Sequence, residues 1–521
     1  MSVYFVDSLN GNDENSGLDA LQAFKSLERV NKLKLHAGDR VLLKSGCVFS
    51  GHLDITDSGE QYAPIEIAFY GRENKKPVIN GEESEYAVRV TGEYVTVRGL
   101  EVSNPKGKYG IALVSMLHGA TRGVTVADCY VLDVWTDNPV EKNDINIFLG
   151  HTYRPSASWD HKAAGISVET NREAPTWYEG LRIEHNTVVN VNRTGIWLGG
   201  QWFNRFKNSF PWTTNKADGM FDPWYPHKNA YIGHNIVDHA YGDGIIGIGC
   251  EGLIIEHNKV YYANCRSRIG NCNAGLWSMC CDGALIQYNE VAYTGLEFGG
   301  AGEGFDIDNC SRNTIVQYNY SHDNAGGFML ICNITCPDAN SHCNNIVRNN
   351  LSINDATKTD TAILNYTGAM KDVNILNNTV YTERENRFKL LQVSDYGTTG
   401  VVRDATVANN IFFSKNDDNW NFFEYNGEFT FSDNVWHNMP ALPEKENITD
   451  RNLYNVNPVL QGEWKTAGTR LDVKHFVPCW NSPMLRLGKY YEQCAEYDYN
   501  GIRTTGHLYI GAFYYKDANI G

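Results

Sequence analysis

Short alternating strands, each ending in an asparagine, recur along the middle of the chain. In each copy two or three apolar residues occupy alternate positions, followed by Asn, one further residue, and Val or a small substitute. Alternation with a period of two is the pattern of a half-buried β-strand. The ten copies place their anchor residue at Asp128, Asn186, Asn235, Asn258, Asn289, Asn319, Asn350, Asn378, Asn410 and Asn434.

Neighbouring anchors are 23 to 58 residues apart, and the shortest separations fit one solenoid coil of three short strands. An Asn at the bend between two strands bonds to its own backbone, tolerates left-handed geometry and stacks on the Asn of the next coil. The repeat predicts an all-β fold, a right-handed parallel β-helix, as a single-stranded solenoid of about ten coils. A β-sandwich with Asn-rich turns is the alternative, and ten in-register copies disfavour it.

A second strand of each coil begins with glycine. With a period of two, the residue after the Gly points inward and the next one points outward. These strands begin at Gly110, Gly165, Gly195, Gly244, Gly275, Gly304 and Gly327.

The two ends of the chain lack the repeat. Residues 1–80 contain one amphipathic segment, AFKSLERVNKL, and are expected to form an N-terminal capping helix with the first coils, because a solenoid must cover its open end. Residues 81–440 are expected to form the β-helix. Residues 441–521 are expected to be an irregular C-terminal tail that packs on the solenoid.

Long insertions rich in Trp are expected around residues 129–180 and 199–230. Long loops in a compact repeat are usually functional, so these predict walls of a cleft suited to short oligosaccharides or chain ends. A lid that packs on itself without a ligand is the alternative. Seven of the twelve Trp lie between the anchors Asp128 and Asn235, which bound these insertions: Trp135, Trp159, Trp177, Trp197, Trp202, Trp212 and Trp224.

The formal net charge is −16, which disfavours nucleic acid and anionic lipid as partners. No stretch of sequence is long and apolar enough to cross a membrane. The first residues contain neither a basic n-region nor an apolar h-region. These features predict a cytoplasmic protein, with secretion after signal removal as the alternative.

The thirteen cysteines are an odd number, and Cys280 and Cys281 are adjacent. Neither fact fits a secreted disulfide framework, so mostly reduced thiols are expected. Cys250, Cys280 or Cys281, Cys310 and Cys332 follow successive Gly-led strands and predict an inward-facing cysteine ladder.

The N-terminal pattern, the Asn-anchored coils and the tail NSPMLRLG…YDYNGIRTTGHLYIGAFYY together resemble bacterial right-handed parallel β-helix proteins of the carbohydrate-active kind. The resemblance covers nearly the whole chain and implies a carbohydrate substrate. The group contains glycoside hydrolases, polysaccharide lyases and uronate epimerases, so the reaction must be argued from the site.

Period two places several aromatic and acidic side chains on the outer face of the Gly-led strands. Trp197, Trp277, Glu169 and Met329 are expected to point outward there, together with two aspartates of a later strand. Sugar C–H faces stack on aromatic rings while sugar hydroxyls bond to acids. The Trp side chains are therefore predicted to be sugar platforms and Glu169 a substrate-binding residue.

The segment Gly302–Asn309 contains three acids, Glu303, Asp306 and Asp308. The two aspartates lie on one side of a strand, and close carboxyls drive their pKa values apart, as glycoside hydrolysis needs. Asp306 and Asp308 are predicted to be the catalytic couple, with Glu303 in reserve. A calcium site on the same acids, or a solvated turn, is the alternative.

Three flanking residues are candidate substrate-binding groups. His322 and Asp323 lead into the next Gly-led strand, where a His could orient an acid. Asp282 follows the Trp277 strand. Turn residues with a structural role are the equally weighted alternative.

These features favour a glycoside hydrolase that cleaves oligosaccharides or polysaccharide chain ends with paired carboxylates and requires no cofactor. A polysaccharide lyase or uronate epimerase, with calcium to neutralise the uronate, is the first alternative. A non-catalytic glycan-binding β-helix is the second. The expected partner is an oligosaccharide or polysaccharide, not nucleic acid or a membrane, and the sequence predicts no metal ligands.

Overall fold

The computed structural model describes most of the chain. The described residues are 1–72, 75–116, 118–135, 163–171, 173–200, 202–203, 224–265, 273–296, 301–334, 336–383, 388–394, 400–415, 420–421, 427–438, 442, 448–462, 472–504 and 508–515. They form two compact units, which we call unit 1, within Met1–Cys281, and unit 2, from residue 282 onward.

The described residues of unit 1 form one short helix and 26 short strands. The helix is α1, Leu27–Asn31, preceded by a 3-10 turn at Ala20–Gln22. The strands are β1 Val3–Val6, β2 Arg40–Lys44, β3 Val48–Ser50, β4 Leu53–Ile55, β5 Ile65–Tyr70, β6 Val78–Asn80, β7 Tyr86–Val90, β8 Val95–Arg98, β9 Glu101–Asn104, β10 Tyr109–Ser115, β11 Gly119–Arg122, β12 Thr125–Ala127, β13 Tyr130–Val134, β14 Ala164–Thr170, β15 Thr176–Glu179, β16 Arg182–Glu184, β17 Thr187–Val191, β18 Thr194–Leu198, β19 His227–Lys228, β20 Tyr231–Gly233, β21 Ile236–Ala240, β22 Ile245–Ile248, β23 Cys250–Glu251, β24 Ile254–Glu256, β25 Lys259–Tyr261 and β26 Leu276–Met279.

Unit 2 continues the same kind of short strands. They are β27 Leu285–Gln287, β28 Glu290–Ala292, β29 Phe305–Asp308, β30 Ile315–Gln317, β31 Tyr320–His322, β32 Met329–Asn333, β33 Ile346–Arg348, β34 Leu351–Ile353, β35 Ala362–Gly368, β36 Met370–Lys371, β37 Asn374–Leu376, β38 Thr379–Thr382, β39 Phe388–Ser394, β40 Val402–Ala408, β41 Ile411–Ser414, β42 Trp420–Asn421, β43 Gly427–His437 and β44 Ile448–Tyr454. Its 3-10 turns are Ala339–Ser341, Val473–Phe476 and Pro483–Leu485.

Within each unit the strands pair in parallel with the equivalent strand of the next coil. In unit 1 the Gly-led strands β14, β18, β22 and β26 follow one another in this way. In unit 2 the order is β29, β32, β35 and β39. The all-β, parallel β-helix architecture expected from the repeat is confirmed.

Buried asparagines stack along each unit. Each backbone N–H donates to the Oδ1 of the next Asn at 2.8–2.9 Å, and each Nδ2 donates to the same oxygen at 2.8–3.0 Å. The ladder predicted from the repeat is therefore present within both units. Its members are Asn186, Asn235 and Asn258 in unit 1, and Asn289, Asn319, Asn350, Asn378, Asn410 and Asn434 in unit 2.

The geometry at the bend differs from the expectation in two ways. The left-handed backbone belongs to the residue before the Asn, as at His185 with φ 58° and Tyr318 with φ 57°. Asp128 also has φ 55°, so it occupies this preceding position. Cys129 is the true equivalent of Asn186, and its N–H donates to Asn186 Oδ1 at 3.0 Å. The choice of Asp128 as an anchor was wrong by one residue.

The N-terminal helix is shorter than the amphipathic segment. Ser26 Oγ accepts the Arg29 N–H at 3.1 Å and starts the helix, and Leu27 and Val30 are its buried residues. Among the described residues no helix is long and apolar enough to span a bilayer.

The C-terminal residues of unit 2 lie along its coils. Met484, Ile510 and Phe513 pack in one buried cluster with Leu351 and Ile411. Polar contacts accompany this packing at three left-handed Asn residues that precede ladder positions: Asn349 and Asn377 donate to Tyr509, and Asn409 donates to the Lys489 carbonyl.

No disulfide joins two of the twelve cysteines that the structure describes, and Cys272 lies outside the described residues. Cys332 does not belong to an inward ladder. It packs in a small cluster with Ala301 and Leu330 on the outer side of β32, because Leu330 and Cys332 are two residues apart on the same strand face.

Of the seven predicted loop tryptophans, Trp159 and Trp212 lie outside the described residues. Trp177 belongs to strand β15, and its ring stacks on Tyr225 with a centroid distance of 5.7 Å. Trp202 meets the same Tyr225 edge-on at 6.0 Å. These three rings form one aromatic cluster in unit 1.

Candidate active site

A row of outward side chains crosses strands β29, β32, β35 and β39 of unit 2. Phe305 and Ile307 of β29 point inward and are fully buried, so Asp306 between them faces outward. The register places Asp306 beside Leu330 of β32, and Leu330 beside Asn365 of β35. Because adjacent strands are about 4.8 Å apart, the Asp306 and Asn365 Cα atoms are separated by about 10 Å.

The expected outward position of Met329 is wrong. Met329 is in register with Phe305 and fully buried, and Leu330 takes the outward position. The Phe305 N–H donates to the Phe328 carbonyl at 3.0 Å, so the strand is displaced by one residue from the Gly-led pattern. A shift of one residue exchanges the two faces of a strand.

Glu303 lies just before β29 and is buried, with 4% of its surface exposed. Its Oε1 accepts a hydrogen bond from Asn365 Nδ2 at 3.1 Å, while Oε2 has no hydrogen-bond partner among the described residues. The Glu303 carboxyl, which lies just before β29, therefore contacts β35, the strand that carries Asn365. Both acids belong to one outer face of unit 2.

Burial raises the pKa of Glu303 above its ordinary value, and the Asn365 amide and the N–H groups of Glu303 and Gly302 oppose the rise only in part. An ionised carboxylate is disfavoured where water is excluded. The environment therefore keeps Glu303 protonated to a higher pH than an exposed glutamate, which is the state required of a proton donor.

The two aspartates of β29 have different surroundings. Asp306 is 6% exposed. Asp308 is half-buried, and its Oδ1 accepts the Asn309 backbone N–H at 2.8 Å and also the Asn309 side-chain amide. Ser311 Oγ donates to the Asp308 carbonyl at 2.7 Å. Asp308 thus shapes the turn that ends β29.

Polar, uncharged side chains continue the outer face beyond Asn365. Gln392 of β39 is the next residue in the Asp306 row, and Thr367 and Ser394 are paired in the neighbouring row. Their hydroxyl oxygens are 3.1 Å apart. Amide and hydroxyl groups at this spacing suit the hydroxyls of a neutral sugar.

His322 and Asp323 lie on another sheet of unit 2. His322 ends β31, which pairs with β28 and β34 and not with β29. The His322 ring nitrogens lie 3.0 Å from Asp323 Oδ2 and 3.4 Å from Glu290 Oε1. Desolvation opposes protonation, but these two acids prevail and raise the pKa of His322 to about 9.

The His322 ion pairs predict a stability that depends on pH. Because the pKa of His322 is higher in the folded than in the unfolded protein, the ion pairs contribute fully to the free energy of unfolding below the unfolded pKa of about 6.5. This contribution is lost as pH rises through about 9. We expect His322→Gln to cost about 2 kcal/mol at pH 6 and little at pH 10. Denaturant unfolding at both pH values measures this, with the exposed His52→Gln as the control. Equal losses at both pH values would contradict it.

Asp282 also lies at a turn. It pairs with Arg312 in an isolated bridge, and its Oδ1 accepts the Asn313 side-chain amide at 2.6 Å. Its position is that of a residue fixing the path between coils of unit 2.

The predicted aromatic platforms belong to unit 1. Trp197 is in register with Ser167 and Ile246, and Ile246 with Trp277, so both Trp share one row. Trp197 and Glu169 are half-buried. Trp277 is 6% exposed, and the expectation that it is an exposed ring is wrong.

A buried polar network explains the burial of Trp277. Its indole N–H donates to Asp243 Oδ1 at 2.8 Å, and Asp243 Oδ2 lies 3.9 Å from Arg193 Nη2. Arg193 also donates to Asn273 at 3.1 Å. Buried charges require such partners, and the network holds the Trp277 ring in place.

No three His, Cys, Asp or Glu side chains of the described residues gather in a way that could hold a metal ion.

The chain is similar to known carbohydrate-active proteins. It is 26% identical over 609 aligned positions to the lacto-N-biosidase of Bifidobacterium longum subsp. longum, covering 98% of this chain and 36% of that protein. The chain thus spans about a third of the length of this curated relative. No family model matches.

Solved structures share the fold. A GH136 lacto-N-biosidase from Eubacterium ramulus superposes with a TM-score of 0.57 at 22% identity, covering 78% of this chain and 67% of that chain. XylC in complex with xylose superposes with a TM-score of 0.51 at 13% identity, covering 98% of both chains. The resemblance to parallel β-helix carbohydrate-active proteins is confirmed.

Sequence reasoning missed Asn365. It lies 62 residues after Glu303 on β35, a strand that does not begin with the Gly phrase used to find the others. Its only signal is the alternation in AILNYTG, where Asn365 is the polar residue between two inward-facing apolar ones.

Proposed function

We propose that this chain is a glycoside hydrolase that cleaves oligosaccharides or polysaccharide chain ends. One observation carries the proposal: Glu303 is a buried acid whose surroundings favour the protonated state, and it shares an outer face with Asp306. Glycoside hydrolysis needs one protonated and one ionised carboxyl. The similarity to lacto-N-biosidases supports the same reaction.

In this mechanism Glu303 gives its proton to the departing glycosidic oxygen, and that bond breaks. Asp306 is the partner that the reaction requires ionised. It either attacks the anomeric carbon, forming a glycosyl-enzyme that water then hydrolyses with Glu303 as the base, or removes a proton from the attacking water. Asp308 is the alternative partner for Asp306, with Cα atoms about 6.5–7 Å apart on the same strand. Its bonds to Asn309 favour the pair Glu303 and Asp306.

Substrate recognition is proposed for the polar face beside these acids. The uncharged side chains of Gln392, Thr367 and Ser394 suit a neutral sugar, for which lacto-N-biosides are the first substrates to test. Substrate contacts by Trp197, Trp277, Glu169, His322, Asp323 and Asp282 stay predictions. For Trp277, contact requires its ring to be uncovered.

Proton transfer between carboxyls and a sugar requires no cofactor, and calcium on the same acids is the competing prediction. The right-handed sense of the coils, their number of about ten, the capping role of Leu27–Asn31 and a cytoplasmic location also stay predictions.

The experiment is a substrate screen. The chain is incubated with lacto-N-biosides, other neutral oligosaccharides and uronide polymers, and the products are identified by mass spectrometry and absorbance. We expect saturated sugars as products, released by addition of water. Their rate of release should be the same with and without a chelator. Unsaturated, ultraviolet-absorbing products that vanish with a chelator would establish a lyase, and intact sugars retained on the protein would establish a binding module.

A further inference from the structure

We infer that Asn365 is a positioning residue for Glu303: its amide N–H holds Oε1 and so leaves Oε2 to carry the proton given to the substrate. The inference rests on the proposed function. It names a residue that touches the proton donor without being a proton donor itself.

The two oxygens of the Glu303 carboxyl have different surroundings. Asn365 Nδ2 donates to Oε1 at 3.1 Å, whereas Oε2 has no partner among the described residues. In a protonated carboxyl the carbonyl oxygen is the better acceptor and the other oxygen is the donor. The Asn365 contact therefore makes Oε1 the carbonyl oxygen.

Neighbouring hydroxyl groups fix the orientation of the Asn365 amide. An Asn side chain presents N–H₂ on one side and oxygen on the other, and its neighbours decide which faces where. Ser394 Oγ donates to Asn365 Oδ1 at 3.5 Å, and Thr367 Oγ1 lies 3.1 Å from Ser394 Oγ. The two hydroxyls thus turn the amide nitrogen toward Glu303.

The Asn365 side chain takes no part in the apolar core of its coil. Leu364 and Tyr366, on either side of Asn365, point inward and are fully buried. Asn365 itself is half-buried on the outer face between Leu330 and Gln392. The apolar core of the coil therefore does not depend on the Asn365 side chain.

The amide also opposes the effect of burial. Burial raises the pKa of Glu303 and the Asn365 hydrogen bond lowers it. Loss of the amide donor should leave desolvation less opposed and raise the pKa further. A rise in the Glu303 pKa on loss of the Asn365 amide therefore distinguishes a positioning residue from a residue that only supports the fold.

The test compares Asn365→Leu, which removes the donor at similar volume, with the wild-type chain. Asn374→Leu is the matched control, since Asn374 is half-buried on β37 and its side-chain amide makes one hydrogen bond within the described part of the chain, to the Asp372 carbonyl. The pKa of Glu303 is followed by ¹³C NMR of glutamate-labelled protein, with the signal assigned by Glu303→Gln. The pH dependence of kcat and KM is measured on the best substrate of the screen.

We expect Asn365→Leu to raise the Glu303 pKa above its wild-type value and to move the alkaline limb of the kcat–pH profile to higher pH by the same amount. We expect kcat to fall roughly 10–100-fold with little change in KM. Asn374→Leu should change neither. Ser394→Ala keeps the strand contacts and should move the pKa in the same direction by less, so the inference stays testable even if Asn365→Leu does not fold.

Two results overturn the inference in distinguishable ways. If Glu303→Gln is inactive but Asn365→Leu and Ser394→Ala leave the pKa and the alkaline limb unchanged, the inference fails alone. If Glu303→Gln keeps wild-type turnover, the proposed function of Glu303 fails and the inference fails with it.

Discussion

Replacing Glu303 by Gln is expected to lower hydrolysis of ordinary glycosides by roughly 10²–10⁴-fold, because the proton donor is lost while the shape is kept. Glycosides with an activated leaving group, such as a dinitrophenolate, should be spared, since that group departs without a proton. Asp306→Asn should be severely impaired on both kinds of substrate. Rate measurements of the two variants on paired substrates check this.

The control for this comparison is Glu428→Gln, which makes the same change at an exposed carboxyl on another sheet of unit 2. Melting curves establish that each variant folds. Because a buried carboxyl with a raised pKa costs stability once it ionises, Glu303→Gln should melt at or above the wild-type temperature at neutral pH. Near-wild-type hydrolysis in both active-site variants would place the catalytic pair elsewhere.

The pH profile follows from the same burial. The donor must be protonated, so activity should decline as pH rises through the raised pKa of Glu303 and not near the pKa of about 4.3 of an ordinary glutamate. The anomeric configuration of the first product adds the mechanism: retention indicates attack by Asp306, and inversion indicates an activated water.

The fold was predictable because its signal is local and repeated. Each ladder Asn follows a short alternating strand, and the same physical requirement of pairing at the bend returns in every coil. The error at Asp128 was small, since the position before the ladder accepts Asp as well as His, Tyr and Asn. Its neighbour Cys129 simply replaces the Asn side chain in that coil.

The site was only partly predictable, because its chemistry depends on contacts between distant coils. The sequence identifies Glu303 and Asp306 as nearby acids, but not that both are buried or that Asn365 bonds to Glu303. Asn365 could be found only from the register of β32, where Gly326 and Gly327 permit two starting points for the strand. Gly326 approaches the backbone closely: a Cβ there would lie 2.5 Å from the Gly302 carbonyl carbon.

The same limit applies to Trp277. Period two correctly assigns its side of the strand, but burial depends on Asp243, which lies 34 residues earlier and receives the indole N–H. An outward position in a coil is therefore not an exposed one. The prediction of an exposed ring failed at this step for Trp277, whereas its contact with a sugar stays a prediction.

The largest expected loss of stability follows from breaking the asparagine ladder. Asn350 is fully buried. Its Oδ1 accepts from Asn319 N and Nδ2 at 2.9 and 3.0 Å. Its Nδ2 donates to the Val316 and Arg348 carbonyls and to Asn378 Oδ1 at 2.9–3.0 Å. We expect Asn350→Ala to cost about 3–5 kcal/mol, because each buried polar group left unpaired costs about 1–3 kcal/mol.

Asn374→Ala is the matched control, since among the residues described the Asn374 side chain makes one hydrogen bond, to the Asp372 carbonyl at 3.3 Å. It should cost less than about 1 kcal/mol. Thermal and denaturant unfolding of both variants give the comparison, and the Asn350→Ala loss corresponds to a fall in Tm of roughly 3–5 °C for a chain of 521 residues. Equal stabilities of the two variants would mean that the hydrogen bonds of the ladder do not stabilise the coils, and that apolar stacking inside the coils fixes the register.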